Sequence, residues 1–263
     1  MFSSAQVETF RRDGYIVVPE LLDHEEIDLL GRIAHADHAL RTRAVARRDG
    51  EGGEIRLEVR NDLGDDVYSA VVRAEKIVRR MESLLGGEIY HYHHKMILKD
   101  ARVGGAWEWH QDYGYWYSNG CLFPHMGSCL IAVDRATREN GCLQVLAGSH
   151  EMGRIDHGPI GDQTGADPER VAAAIERLPL VHVELEPGSA VMFHANTLHR
   201  SDANHSSHPR WAFICCYNRA SNDPYKDSKH PRYSPLEVWP DERIAEIGRR
   251  DLARIVHELP TGP

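Results

Sequence analysis

The chain has 263 residues, 41% hydrophobic and 27% charged, the balance of a globular protein with enough chain for one sizeable core, read as a single domain over 1–263. A formal net charge of −9 argues against a nucleic-acid or acidic-membrane surface as the main partner. No apolar run approaches about eighteen residues and no charged-then-apolar leader opens the chain, so neither a spanning helix nor a signal peptide is expected, and the location is expected to be cytoplasmic.

Taken in order, Ser4 precedes a short helix through Phe10, with Glu8 near the position a capping box wants, and Asp13-Gly14 stops it. Tyr15-Ile16-Val17-Val18 reads as a short buried strand. Pro19 and Asp23 open a second helix whose apolar face is Leu22, Ile27, Leu29, Leu30 and Ile33. Within it His35-Ala36-Asp37 places an imidazole and a carboxylate on roughly opposite helix faces, a solvated surface and not a chelating pair. Residues 41–66 turn to Arg, Asp, Glu and Gly and bury little, which fits a mobile loop or hairpin at the mouth of a site or a plain solvated connection. Helical spacing returns over Val67 to Leu85 and ends at Gly86-Gly87.

Glu88 to Lys99 alternates and reads as a strand with Ile89, His91, His93, Lys95 and Ile97 on one face. Three polar groups on that face mean either a wet cavity or the outer face of the sheet. Residues 107–116, Trp-Glu-Trp-His-Gln-Asp-Tyr-Gly-Tyr-Trp, form a strand-like aromatic run in which His110 and Asp112, two apart, share a face. An imidazole and a carboxylate so placed can ligate one metal ion. A third ligand, a His on a neighbouring strand, would complete the two-His-one-carboxylate site of non-haem iron oxygenases. The other reading is ordinary strand polar residues, since 17 histidines make a chance His-x-Asp easy.

Cys129 to Val133 and Cys142 to Leu146 read as strands around the turn Glu139-Asn140-Gly141. His157 to Leu178 holds a polar loop and a short helix from Asp167-Pro168. Val181 to Leu185 alternates, so His182 and Glu184 share a face, either as a second metal pair or as the polar side of a half-exposed strand. Pro187-Gly188 leads into Ser189 to His194, then Thr197 to Ser201, and Trp211 to Tyr217 is the last long strand. The segment 222–263 is polar and peripheral, with one helix from Glu242 to Leu259. The five cysteines contain no Cys-x-x-Cys pair and fit reduced thiols. Many short strands with Gly and Pro turns behind an N-terminal helical layer indicate a double-stranded β-helix, a cupin-like jelly roll, mainly β with flanking α.

The sequence resembles the phytanoyl-CoA dioxygenase family of Fe(II)/2-oxoglutarate oxygenases, including its ectoine-hydroxylase-like branch. The resemblance is carried by Phe10-Arg11-Arg12-Asp13-Gly14-Tyr15, by His110-Gln111-Asp112, by Asn140-Gly141-Cys142-Leu143 with Gly148-Ser149-His150, and by Pro187-Gly188-Ser189 leading to His199-Arg200-Ser201. Arg210 follows His199 by eleven residues. The resemblance implies that His110, Asp112 and His199 hold Fe(II) and leave three positions for 2-oxoglutarate and O2. It implies that Arg210 forks the distal carboxylate of 2-oxoglutarate and that Ser201 hydrogen-bonds it. The retained carboxylate of Asp112 points away from halogenation and toward hydroxylation or desaturation of a C–H bond, with release of succinate and CO2.

The chain departs from the family in carrying Lys99-Asp100 in place of a Lys-Pro and Ile97 in place of an amide, which moves the inward polar role to Lys95. Trp116 matches an aromatic that the ectoine-hydroxylase branch sets against its substrate. Around it Tyr113 and Tyr115 could bind a cationic or zwitterionic molecule or fill core, as could Trp107 and Trp109. His93 and Asn218 are candidates for a polar substrate group. No dense Lys/Arg patch offers itself to the phosphates of a CoA thioester, so a small polar metabolite or natural-product intermediate is the expected substrate. The alternative from another class is a non-oxidative metal-binding jelly roll, a ligand-binding or sensor module or an isomerase. Oligomeric state leaves no mark in the sequence.

Overall fold

A computed structural model describes residues 1–258. Its first helix, α1 (Ser4–Asp13), is capped by Ser3, whose hydroxyl and the Gln6 amide close a capping box, one residue earlier than the sequence suggested. The strand β1 (Tyr15–Val18) follows, then α2 (His24–Ala36), opened by an Asp23/Glu26 capping box. Next come α3 (His38–Arg43), the hairpin β2 (Val45–Arg48) and β3 (Glu54–Arg60), α4 (Val67–Arg73), α5 (Glu75–Leu85) and the long strand β4 (Ile89–Lys99). The central part holds β5 (Trp107–His110), α6 (Asp112–Trp116), β6 (Met126–Ala132) and β7 (Leu143–Leu146). The hairpin β8 (His157–Ile160) and β9 (Gln163–Ala166), α7 (Pro168–Ile175), β10 (Leu180–Val183), β11 (Ala190–His194), β12 (His199–Ser201), β13 (Arg210–Arg219) and α8 (Arg243–Glu258) complete it.

The strands form an antiparallel seven-stranded sheet in the order β1-β11-β6-β13-β4-β3-β2 and a four-stranded sheet in the order β10-β7-β12-β5. From β4 to β13 the chain crosses between the two sheets at every step except β7 to β10, which remain neighbours in the smaller one. This winding is the jelly roll expected from the sequence. Side chains between the sheets, among them Ile97, Leu130, Leu143, Val145, Phe193 and Ile214, make one core. A second core lies on the outer face of the large sheet, where Leu30, Val71, Ile77 and Met81 of the helices meet Met96, Leu98, Phe213 and Tyr217. All five cysteines are buried and unpaired.

Four local expectations change. The helix expected over Val67 to Leu85 breaks at Ala74, whose backbone is extended (ψ 130°). Trp239 fills the break, with Glu75 N donating to its carbonyl and its own N–H donating to Arg73. The C-terminal segment thereby joins the helical layer, and Ile244 and Ile247 of α8 are buried in the outer core; Leu259, the expected end of that helix, lies outside the described residues. His35 and Asp37 are not a solvated surface. The His35 ring hydrogen-bonds Asp134 (2.8 Å) and lies against Trp211, while Asp37 caps α3 at Leu40 N. The polar loop after His157 contains the β8–β9 hairpin.

The fourth change bears on the site. In the β13 register His93 faces Cys216 and His91 faces Tyr217, so Tyr92 is an extra residue in β4. This bulge reverses the alternation. Ile89 and His91 point to the helices with His94, Met96 and Leu98, while Tyr92 and His93 both point inward, followed by Lys95 and Ile97. On the helix side His91 and His94 hydrogen-bond each other at 3.0 Å. Burial pushes both imidazoles down to about 3. Their folded pKa lies below the unfolded value, so the unfolded chain binds protons that the folded one refuses. The stability they allow is full above the usual histidine pKa and lost as pH falls toward 3, by up to about 1.4 kcal/mol per pH unit for each imidazole. Urea unfolding from pH 7 to pH 4 should show a falling midpoint, and His94→Leu should flatten that fall. An unchanged slope in the mutant would remove this pair as its cause.

Candidate metal centre

His110 is the last residue of β5 and His199 the first of β12, and antiparallel pairing sets them opposite each other, with ring centroids 4.0 Å apart. Each ring is fixed in the same way. His110 Nδ1 lies 2.8 Å from the Glu108 carbonyl and His199 Nδ1 lies 2.9 Å from the Thr197 carbonyl. A carbonyl only accepts, so each Nδ1 carries the proton and each Nε2 keeps its lone pair. Burial is the first cause holding both imidazoles below the usual histidine range, which keeps them neutral, as a ligand must be.

Asp112 reaches the same place by a different route from the one its spacing suggested. The strand ends at His110, Gln111 is extended (φ −111°, ψ 135°), and Asp112 opens the short helix α6. The Ser128 hydroxyl donates to Oδ2 at 2.7 Å, leaving Oδ1 at 3.9 Å from His110 Nε2 and 3.9 Å from Lys95 Nζ. One ligand atom from each of His110, Asp112 and His199 can be chosen so that all lie within 4.8 Å of one another. Two imidazole lone pairs and one free carboxylate oxygen fit a divalent first-row metal, with positions left open. Between the ligands Gln111 is fully buried. Its amide nitrogen donates to the Gly153 and Asn196 carbonyls and its oxygen accepts from Ile155 N, which locks the turn that aims Asp112.

Lys95, His110, His199, Ser201 and Arg210 line one cavity, walled by Ile55, Ile97, Trp107, Leu130, Leu143, Phe193 and Ile214. Arg210, at the start of β13, is buried, and burial brings its guanidinium down to about 10. Nε and Nη2 both donate to the Gly141 carbonyl, which leaves Nη1 for a ligand. A residue overlooked in the sequence lies beside it. Lys99, paired with Arg210 across the strands, donates from Nζ to Ser201 Oγ at 2.9 Å. Lys95 sits instead next to the triad.

The aromatic candidates divide. Trp116 is buried edge-on to Tyr92 and His93, at 5.3 and 5.7 Å between centroids, and His230 from the C-terminal segment stacks on Tyr92 at 4.7 Å. His93 Nδ1 is buried without a hydrogen-bond partner among the described residues. Tyr113 donates its hydroxyl to the Cys121 carbonyl, and Asn218 is tied to Tyr90 and Asn222; both have their polar atoms committed to the fold. His182 is half-buried and Glu184 exposed, and Glu184 accepts from Arg138 N.

A jelly roll that offers two imidazoles and a carboxylate to one metal beside a buried arginine is the frame of a non-haem iron oxygenase. The match to the phytanoyl-CoA dioxygenase (PhyH) family model spans residues 10–212, and the chain belongs to that family. An L-proline trans-4-hydroxylase of Streptomyces griseoviridis is 29% identical over 248 residues, covering 88% of this chain and 91% of its own. An ectoine dioxygenase of Halomonas elongata is 32% identical over 260 residues, covering 90% of this chain and 78% of its own. The crystal structure of EctD from S. alaskensis with 2-oxoglutarate and 5-hydroxyectoine has a TM-score of 0.78 at 24% identity, over 91% of this chain and 88% of that one. This chain is an Fe(II)- and 2-oxoglutarate-dependent dioxygenase, which decides against the non-oxidative alternative.

The Arg210 contact makes Gly141 a sensitive position. Its φ of 75° and a Cβ that would stand 2.1 Å from the Asp202 carbonyl oxygen admit no side chain. Gly141→Ala should cost on the order of 2 kcal/mol in urea unfolding and weaken 2-oxoglutarate binding, as read by titration calorimetry. Wild-type affinity in a folded mutant would mean that the turn does not position Arg210.

Proposed function

We propose that the protein hydroxylates an unactivated C–H bond of a small polar metabolite or natural-product intermediate. His110, Asp112 and His199 would hold Fe(II), Arg210 and Ser201 the distal carboxylate of 2-oxoglutarate, and Lys95 would stand beside the metal. The observation that carries the residue assignments is the cavity that joins His110 and His199 of the triad to Arg210 and Ser201. Iron so held, with 2-oxoglutarate and O2, supplies an oxidant able to take hydrogen from an unactivated C–H bond, with succinate and CO2 released. The chain's own part is to orient and to exclude. The apolar walls keep water from the reacting carbon, and the two ring–carbonyl hydrogen bonds hold the imidazoles without reorganisation.

A small substrate is favoured by the relatives, whose names give L-proline and ectoine as the molecules they act on. Trp116 with His93 would meet that molecule, the ring face toward a cationic group and the free Nδ1 of His93 toward a polar one. Ile55 of the β2–β3 hairpin walls the cavity, which supports reading residues 41–66 as the mouth of the site. Among the described residues no helix is long and apolar enough to cross a membrane, in keeping with a cytoplasmic enzyme working as one dioxygenase domain.

Anaerobic titration of the apoprotein with Fe(II) and 2-oxoglutarate should give a broad visible charge-transfer band that His199→Ala abolishes. Arg210→Ala should weaken 2-oxoglutarate binding by about 100-fold or more, the size of effect expected when one partner of a buried charge pair is removed. Succinate release should then follow small amino acids or cyclic zwitterions and not CoA thioesters. Undiminished 2-oxoglutarate binding in Arg210→Ala would refute the anchor as assigned.

A further inference from the structure

β5 is the last strand of the smaller sheet, paired with β12 alone, so no strand completes its other edge. Backbone N–H groups open on a strand edge are ordinarily satisfied by water. In the stretch that carries the metal motif, three N–H groups are taken by side chains instead. Ala106 N donates to Asp49 Oδ2 at 2.7 Å, Glu108 N to Gln163 Oε1 at 3.0 Å and Gln111 N to His157 Nε2 at 2.9 Å. Gln163 returns a hydrogen bond from its amide nitrogen to the Ala106 carbonyl at 2.9 Å, and so bonds to this segment much as a neighbouring strand would. Asp49 comes from the turn of the β2–β3 hairpin, His157 and Gln163 from the β8–β9 hairpin.

The two side chains of β8–β9 act on the residues around the ligands. Gln163 holds Glu108 at its N–H, and the carbonyl of the same residue holds His110 Nδ1. His157 Nδ1 lies 2.8 Å from the Ile155 carbonyl. That carbonyl only accepts, so Nδ1 carries the proton and Nε2 offers its lone pair to the N–H of Gln111, the residue between His110 and Asp112. The His157 ring is seated on Gly114 of α6, where a Cβ would stand 2.2 Å from its Cε1. Tyr115, next along α6, donates its hydroxyl to the Thr164 carbonyl of β9. Burial does little to explain the hairpin. Of its two four-residue strands, only Ala166 belongs to an apolar core.

We propose that the β8–β9 hairpin is a clamp on the metal motif, in which His157 and Gln163 are positioning residues that hold His110 and Asp112 at the geometry a metal requires. The proposal rests on the reading of His110, Asp112 and His199 as ligands and extends it to an element outside the strands that bear them. Water on the same edge would satisfy the same N–H groups and fix nothing, because it brings no orientation of its own.

The test is the Fe(II) affinity of the full-length metal-free protein in anaerobic titrations, read together with the charge-transfer band formed on adding 2-oxoglutarate. Gly114→Ala displaces the His157 ring and removes no polar group. It and Gln163→Leu should each weaken Fe(II) binding by about 10- to 100-fold, the loss expected when a group that orients a metal ligand is removed, and each should shift the band. His157→Gln, whose amide oxygen can still accept from Gln111 N, should keep most of the affinity. Wild-type affinity and band in both Gly114→Ala and Gln163→Leu would overturn the proposal. So would a loss in His157→Gln as large as in Gly114→Ala, or a loss of affinity matched by a fall in the urea midpoint of the metal-free protein, since either would make the hairpin a packing element. His199→Ala separates this proposal from the reading beneath it. If that variant alone loses Fe(II), the ligand assignment stands and the clamp fails; if it binds Fe(II) like the wild type, the ligand assignment itself fails.

Discussion

The pairing of β12 with β5 is the contact on which the rest of the site depends. It joins two strands of three and four residues, too short to be held by their own ladder, and it sets His199 across from His110. Each strand is therefore secured from outside. The other edge of β12 pairs with β7, and Gln111, buried at the end of β5, is hydrogen-bonded to two separate loops. The three side chains of the triad inherit their precision from these neighbours. Because each imidazole is tied at Nδ1 to the carbonyl two residues before it, the rings move only if the backbone that carries them moves.

Electrostatics divide the cavity into two ends. At the triad, the carboxylate of Asp112 faces two neutral imidazoles and the ammonium of Lys95. At the other end, Arg210 and Lys99 meet only neutral oxygens. A molecule with a chelating group at one end and a carboxylate at the other complements both, and an apolar wall between them accepts its methylenes. The polarity of the cavity, as much as the donor set, makes iron and 2-oxoglutarate its natural occupants.

Much of this was legible in the sequence, and the places where it was not have physical causes. The triad and Arg210 could be found because each stands in a motif of fixed spacing. Asp112 was expected on the face of His110 by strand alternation; it arrives there through a helical turn, and a spacing of two gives no means of distinguishing the routes. Lys99 continues the inward alternation of Lys95 and Ile97 by one step, so its signal was present and the run was read too short. Gln111, Ser128 and the loop carbonyls carry no pattern, since they are defined by residues distant in sequence. The bulge at Tyr92 is invisible to periodicity, because the strands on both sides of it alternate faultlessly.

That bulge gives β4 two phases joined at one residue. Ahead of it the odd-numbered positions Ile89 and His91 look outward; after it His93, Lys95, Ile97 and Lys99 look inward. For this strand, length is a matter of parity more than of distance. Losing or gaining a single residue between Tyr92 and Lys99 would exchange inside for outside along the whole run, placing Met96 and Leu98 in the polar cavity and both lysines among the helices. Two residues could be added with far less harm. The segment is thus closed to one-residue change, and variation in length has to be taken up at the exposed Arg102-Val103, ahead of Gly104 and Gly105, whose backbone is bonded to Asn204 and Glu54.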